Sequence, residues 1–299
     1  MSIFETDIWR IGIVKVPVED VIACDICDIC DIHWIKEEDT FKFLADPFGL
    51  YRDNKLYVFA EAYDYRDRHG RIEVLILDQQ LSLIDRKIVL EKPWHLSYPM
   101  LIEDQGLVYM LPEAYKSGET SLYKAVEFPF HWEKVSSFSF PEVAIDPTVL
   151  FYNDLWWMFY TPVREGLSRQ SVLSVAWSES LAGTWHSHSL NPVRISPSSA
   201  RPGGNAVITS QGIILPTQDC SLTYGGGLTF LNIIELTPDQ FEARITGQFN
   251  KGSIFGEYNQ GVHTLSKAGP YSLIDGKKIL RQPVRRFLID MRYQIHGIF

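Results

Sequence analysis

Asp46, Tyr98 and Asp146 each stand directly before a proline, at Pro47, Pro99 and Pro147. Each opens a run rich in apolar residues, then a short polar turn, then a second such run, over residues 46–62, 98–114 and 146–161. Toward the end of the second run comes a further polar residue: Glu61, Glu113 or Thr161. Carboxylates that recur at one position of a repeat suggest shared chemistry. Gathered around one pocket, they drive each other's pKa values apart, so that one keeps a proton while another accepts one. Cleavage or transfer at a glycosidic bond needs such a pair. An aspartate before a proline is also an ordinary turn cap, and either acid alone reads equally well that way. Their recurrence favours a site.

The elements that must position these residues follow from the spacing. A period of about 50 residues built from hairpins is that of a β-propeller blade. Blade starts fall near residues 46, 98, 146, 201 and 262, so the chain reads as all-β, a five-bladed β-propeller forming a single domain over 1–299. A β-rich stretch at 8–16 precedes the repeats and is expected to help close the ring. Residues 18–42 read as a long connection, and 287–293 as another alternating strand. Innermost strands line a propeller's axis, so Asp46, Tyr98, Asp146, Arg201 and His263 are expected to converge on one funnel. Whether Glu61 and Glu113 share it depends on which rim the second strands reach. Arg201 either pairs with an acid or receives an anionic substrate group bidentately. His95 and His263 read as sugar ligands, proton shuttles or hydrogen-bonded structural residues. Trp156, Trp157 and Phe159 read as packing between blades, with one ring a candidate sugar platform. Gly203-Gly204 and 225–227 lack the strand-to-helix setting of a phosphate loop and read as turns or close backbone approaches.

Composition narrows the function classes. The chain of 299 residues is 45% hydrophobic and 22% charged, with a formal net charge of −9, which excludes a nucleic-acid footprint. The basic cluster at 277–286 reads as a solvated surface. No stretch approaches the roughly 18 apolar residues of a membrane span, and the first residues lack the basic-then-apolar pattern of a leader. With four cysteines, a reducing, cytoplasmic setting is expected. Cys24, Cys27 and Cys30 with His33 have ligand-type side chains, but structural zinc takes ligands from two separated pairs. They read as a local Cys-Asp-Ile repeat, and neither metal nor cofactor is expected.

Two resemblances rest on these residues. Ala45-Asp46-Pro47 and Ile145-Asp146-Pro147 resemble motifs of five-bladed glycoside hydrolases of the arabinanase, xylosidase and levansucrase type. That resemblance implies Asp46 as base or nucleophile and Asp146 as the acid that orients the sugar and tunes its partner. Where that family opens the next blade with its general acid, this chain has Arg201, and Glu113 is the substitute acid. A second resemblance covers nearly the whole chain, through Ala45-Asp-Pro-Phe, His95-Leu-Ser-Tyr-Pro, Tyr109-Met-Leu-Pro-Glu, Phe128-Pro-Phe-His-Trp, Asp146-Pro-Thr with Trp156-Trp-Met-Phe, Ala200-Arg-Pro-Gly-Gly, Gln218-Asp-Cys with Tyr224-Gly, and Gly261-Val-His. On these segments the chain resembles the propeller at the N-terminus of plant glucosamine inositolphosphorylceramide transferases and in stand-alone bacterial proteins. Together they imply a carbohydrate or sugar-phosphate ligand, with Asp46, Glu113 and Asp146 as catalytic candidates. Glu61, His95, Tyr98, Arg201, Asp219 and His263 are the substrate-binding candidates. The other reading is a non-catalytic glycan or nucleotide-sugar module associated with a separate glycosyltransferase.

Overall fold

In the computed structural model, which describes residues 5–23, 31–37, 39, 41–210, 212–249 and 253–296, blade one shows how the sequence builds the repeat. Lys42–Arg52 and Lys55–Asp64 pair antiparallel around Asp53 and Asn54, which sit at φ 51° and 58°. Two consecutive positive-φ residues make the tight turn whose twist matches that of its flanking strands. Gln105-Gly106 and Asn153-Asp154 repeat it in the next two blades. His69–Leu77 and Leu83–Leu90 complete the sheet. The inner strand is largely buried and the outermost largely exposed, because neighbouring blades cover both faces of the strands nearest the axis.

Four further sheets complete a five-bladed β-propeller. Blade two is Ser97–Asp104, Leu107–Glu113, Tyr123–Glu127 and His131–Lys134, and blade three runs from Ala144–Tyr152 through Leu155–Pro162 and Val172–Ser178 to His186–Ser187. Blade four comprises Val207–Thr209, Gly212–Asp219, Gly227–Leu236 and Phe241–Phe249. In blade five, Leu265–Ala268 and Tyr271–Arg281 come from the end of the chain, and Glu5–Val14 and Ile32–Trp34 from its beginning. Glu5–Val14 pairs with Tyr271–Arg281 from Glu5↔Arg281 to Val14↔Ser272. The stretch 18–42 is thus more than a connection: it holds a short helix, α1 (Val18–Ala23), and the outermost strand of blade five. Trp157 and Phe159 are buried between blades three and four with Leu215 and Leu231. Cys24, Cys27 and Cys30 lie outside the described residues, and His33 is on the Ile32–Trp34 strand.

The expected strand at 287–293 is instead part of a helix, α2 (Pro283–His296). Its local alternation is ambiguous, but Val284, Phe287, Leu288 and Met291 recur at helical spacing, and Pro283 fits a first helical turn. Glu5–Val14 already occupies the free edge of Tyr271–Arg281, leaving the last segment no ladder to join. Among the described residues no helix is long and apolar enough to cross a membrane.

One backbone feature aims side chains at the axis. Asp46, Tyr98 and Asp146 have φ of 50°, 46° and 48°, and each lies where the pairing of first and second strands slips. These are β-bulges with a left-handed residue, which re-aim a side chain at the end of a strand. Holding a non-glycine residue there costs about 1–3 kcal/mol and requires surroundings that over-determine it. At Tyr98 those surroundings are explicit: its hydroxyl accepts the Gly204 amide at 2.6 Å and lies 2.8 Å from Thr148 Oγ1, fully buried. Gly204 is at φ 131°, and a Cβ there would sit 1.7 Å from the Leu265 carbonyl oxygen, so the axis is crossed by backbone too close for any side chain. Tyr98→Phe, which orphans the buried Gly204 amide, is expected to cost about 1–3 kcal/mol of stability in chemical denaturation. No measurable loss would mean that the Tyr98 hydroxyl does not brace the axis.

Candidate functional site

Second-strand register decides which polar groups reach the same rim as the bulges. Glu61 pairs with Ala45, Glu113 with Ser97 and Thr161 with Ile145, each beside a bulge residue. In blade four the Gln218 amide donates to the Arg201 carbonyl, and in blade five Asp275 accepts the His263 and Thr264 amides. Glu61, Glu113, Thr161, Gln218 and Asp275 therefore form a second polar ring. A cavity of about 540 Å³ opens there, and Asp46, Glu61, His95, Glu113, Arg201 and His263 all line it. Tyr98 and Asp146 stand behind the lining residues as supports. Asp219 lies away from the cavity at the end of Gly212–Asp219, where it accepts from the Ser221 amide and hydroxyl.

Asp46 is almost fully buried. Its Oδ1 accepts from Thr264 Oγ1 at 2.9 Å and lies 3.6 Å from His263 Nε2, while its amide donates to Asp275 Oδ2. Burial raises its pKa to about 7 against the pull of His263, with Asp146, Glu61 and Asp275 adding to the rise. Burial lowers that of His263, but Asp275 and Asp46 outweigh it and carry the ring to about 9. Its Nδ1 lies 2.5 Å from Asp275 Oδ2 without the alignment of a hydrogen bond, and its Nε2 lies 3.6 Å from Asp46 Oδ1, so the ring stands between two carboxylates whose charge favours the imidazolium. Trp9 stacks on it at 4.0 Å and 7°. A Cβ at Gly225, at φ 61°, would meet the Trp9 ring at 2.7 Å, so glycine there leaves room for the stack. Asp46, His263 and Asp275 are also, among the described residues, a group whose ligand atoms lie close enough to hold a metal ion.

The other acids are held differently. Glu113 accepts from Ser97 Oγ and from the Tyr115 amide, both at 2.7 Å, and burial, followed by Asp146, raises its pKa. Asp146 Oδ2 accepts from Arg201 Nε and Gln218 Nε2, both at 2.6 Å. The Arg201 guanidinium also donates to the Arg169 carbonyl and lies over Tyr224. Burial alone would lower the Arg201 pKa, but Asp146 holds it well above its ordinary value. Glu61 Oε1 lies 3.1 Å from His95 Nε2, and the Gly70 amide donates to His95 Nδ1. Burial lowers the His95 pKa and Glu61 raises it, for a net rise. The Gly70 amide opposes a proton on Nδ1, so the geometry favours the Nε2–H tautomer.

Trp9, Tyr63, Tyr65, Tyr224 and Tyr293 also line the cavity, whereas Trp156 lines a second cavity of about 580 Å³ among the hairpin turns at the other end of the axis. Glu19, Glu103 and Lys267 are the charged residues of that second cavity, so the titratable cluster belongs to the first. Asp275 was within reach of sequence reasoning, since it stands on the second strand of blade five as Glu61 does in blade one. Trp9 and Tyr293 had no such signal: their places depend on ring closure and on α2.

Residues 8–254 match the family model described as "Glucosamine inositolphosphorylceramide transferase 1, N-terminal". The chain is 35% identical over 206 residues to glucosamine inositolphosphorylceramide transferase 1 of Oryza sativa subsp. indica, covering 67% of this chain and 27% of that protein. It is 28% identical over 250 residues to the Arabidopsis thaliana protein of the same name, covering 79% and 32%. It therefore spans about a third or less of the curated relatives it matches. In fold it is similar to Zg3597, a family 117 glycoside hydrolase produced by the marine bacterium Zobellia galactanivorans. There the TM-score is 0.56 at 12% identity, over 81% of this chain and 87% of that one. A glycosyl hydrolase from Bacteroides ovatus gives a TM-score of 0.56 at 15% identity, over 83% and 91%.

Proposed function

Because the chain belongs to the family of glucosamine inositolphosphorylceramide transferase 1 N-terminal domains, we propose that it is a carbohydrate-active protein that takes a sugar or sugar-phosphate conjugate into the axial cavity and cleaves or transfers a glycosyl bond there. One observation carries the reading: Asp46 and Glu113, both buried and both with raised pKa, line the same cavity. In this role Asp46 is the base or nucleophile, activated when His263 carries its proton. Glu113 is the general acid, kept protonated by burial and by the field of Asp146. Asp146 acts through Arg201, which it holds against the cavity. Glu61, His95, Arg201 and His263 hydrogen-bond the sugar, and the tyrosine-rich wall covers its faces. The same polar groups suit a ligand with one anionic substituent, which Arg201 would receive.

A second reading has its own support: Arg201 stands where the propeller hydrolases are expected to place their third acid, a substitution that suits binding better than cleavage. The protein is then a sugar-binding module associated with a separate glycosyltransferase. Wild-type protein assayed against aryl glycosides and sugar phosphates, with binding of the same compounds followed by ligand-observed NMR, separates the two. Turnover supports the enzyme, and binding without turnover moves the assignment to the module. Absence of both sinks the site.

A further inference from the structure

Helix α2 stands on the rim of the cavity with its polarity reversed. One stripe, Arg286, Asp290 and Tyr293, faces the propeller. The Arg286 guanidinium lies 4.6 Å from the Tyr65 ring and reaches Thr6 Oγ1, and Asp290 accepts from Arg68 Nη2 at 2.7 Å. Arg68 lies 4.2 Å from the Tyr293 ring. The apolar stripe points away: Val284, Phe287, Leu288 and Met291 are 73%, 58%, 56% and 41% exposed. A surface helix ordinarily turns such a stripe to the core. Here polar residues attach the helix, and the side offered outward is the one water solvates worst.

The charge of the segment says what covers it. In a chain of net charge −9, α2 carries Arg285, Arg286 and Arg292 against Asp290, and Arg281 precedes it. An apolar stripe on a helix of net positive charge is the composition of a helix that lies in the interface of an anionic bilayer. With 14 residues it reaches about 21 Å, too short for the roughly 30 Å hydrocarbon core, so it lies on the surface. A second copy fits less well, since two-fold pairing sets a positive helix against itself.

We propose that α2 is an interfacial anchor that docks this protein on an anionic lipid surface through Val284, Phe287, Leu288 and Met291. The cavity, whose wall includes Tyr65, Arg68 and Tyr293, then opens beside that surface. Of the basic stretch at 277–286, expected to be solvated, Lys277 is buried and donates to the Tyr224 carbonyl, and the remainder leads into the anchor. Docking is independent of whether the cavity turns over a sugar.

Co-flotation of the full chain with vesicles tests this. Phosphatidylcholine vesicles containing phosphatidylserine are expected to carry the protein, pure phosphatidylcholine far less, and added salt is expected to weaken capture. Phe287→Ser with Leu288→Ser is expected to lower partitioning about tenfold or more while thermal midpoint and sugar binding stay unchanged. Arg285→Gln with Arg292→Gln is expected to remove about fivefold per arginine from anionic vesicles only. Three results overturn the proposal: no capture by either vesicle, capture untouched by the serine pair, or a dimer in light scattering that the serine pair dissociates.

Discussion

Asp46→Asn is expected to lower kcat about 10²–10⁴-fold, the range for loss of a positioned acid–base group, while sugar affinity stays close to wild type. Asparagine keeps the size of the side chain and its hydrogen bond from Thr264 Oγ1, so binding survives and proton transfer does not. The wild-type profile of kcat/KM against pH is expected to be bell-shaped. It rises near pH 7 as Asp46 ionises and falls as Glu113, the general acid whose pKa burial raises, loses its proton. In His263→Gln the rising limb is expected to move to higher pH, because the imidazolium that pulls the Asp46 pKa down is gone.

Stability has its own sign. Both folded pKa values lie above the ordinary ones, so both groups favour the fold most at low pH. Asp46's share is lost as pH rises through about 7, and His263's is lost through about 9. The thermal midpoint of wild type is therefore expected to decline from about pH 4, the ordinary value for an aspartate, to about pH 9, with the slope above about pH 6.5 shallower in His263→Gln. Equal activity of Asp46→Asn and wild type removes Asp46 from the chemistry, and a flat pH–stability curve removes the ion pair.

Arg201→Ala is expected to be the most destabilising change around the cavity, by about 3–5 kcal/mol, because it leaves Asp146 buried without its cation. Asp146 has a side-chain exposure of 3% and Arg201 of 12%, so water cannot replace the lost partner. Lysine keeps the charge but not the fork that serves both Asp146 and the Arg169 carbonyl, so Arg201→Lys should fall between alanine and wild type. Arg201→Met with Asp146→Asn should recover most of the loss, since no isolated charge remains. Denaturant unfolding reads all three. A cost under about 1 kcal/mol for Arg201→Ala would place that pair among solvent-screened bridges and undo its role as support for the cavity.

Much of the architecture is written in local pattern. The prolines at 47, 99 and 147 mark the starts of related hairpins, and the paired turn residues at 53–54, 105–106 and 153–154 follow at fixed distance. A period-two pattern with such turns has few ways to bury its apolar faces, and a ring of blades is one of them. The membership of Asp46 in a polar site was legible for the same reason, because equivalent positions of a repeat reach equivalent places around an axis.

What needed the tertiary structure was everything set by closure and register. Trp9 meets His263 only because Glu5–Val14 pairs with Tyr271–Arg281, a contact between the two ends of the chain. Glu61 and Glu113 share the cavity with Asp46 because their strands pair in one register rather than the next, and a slip of one residue would turn them to the other face. Asp146 and Tyr98 occupy the same bulge position as Asp46 yet stand behind the cavity wall, since Arg201 takes up the Asp146 carboxylate and the Gly204 amide takes up the Tyr98 hydroxyl. Sequence by itself determined the repeat, its blade starts and the polar residue types at them. Which of those residues meet a ligand and which hold the scaffold was decided by packing across the axis, where partners distant in sequence compete for the same hydrogen bonds.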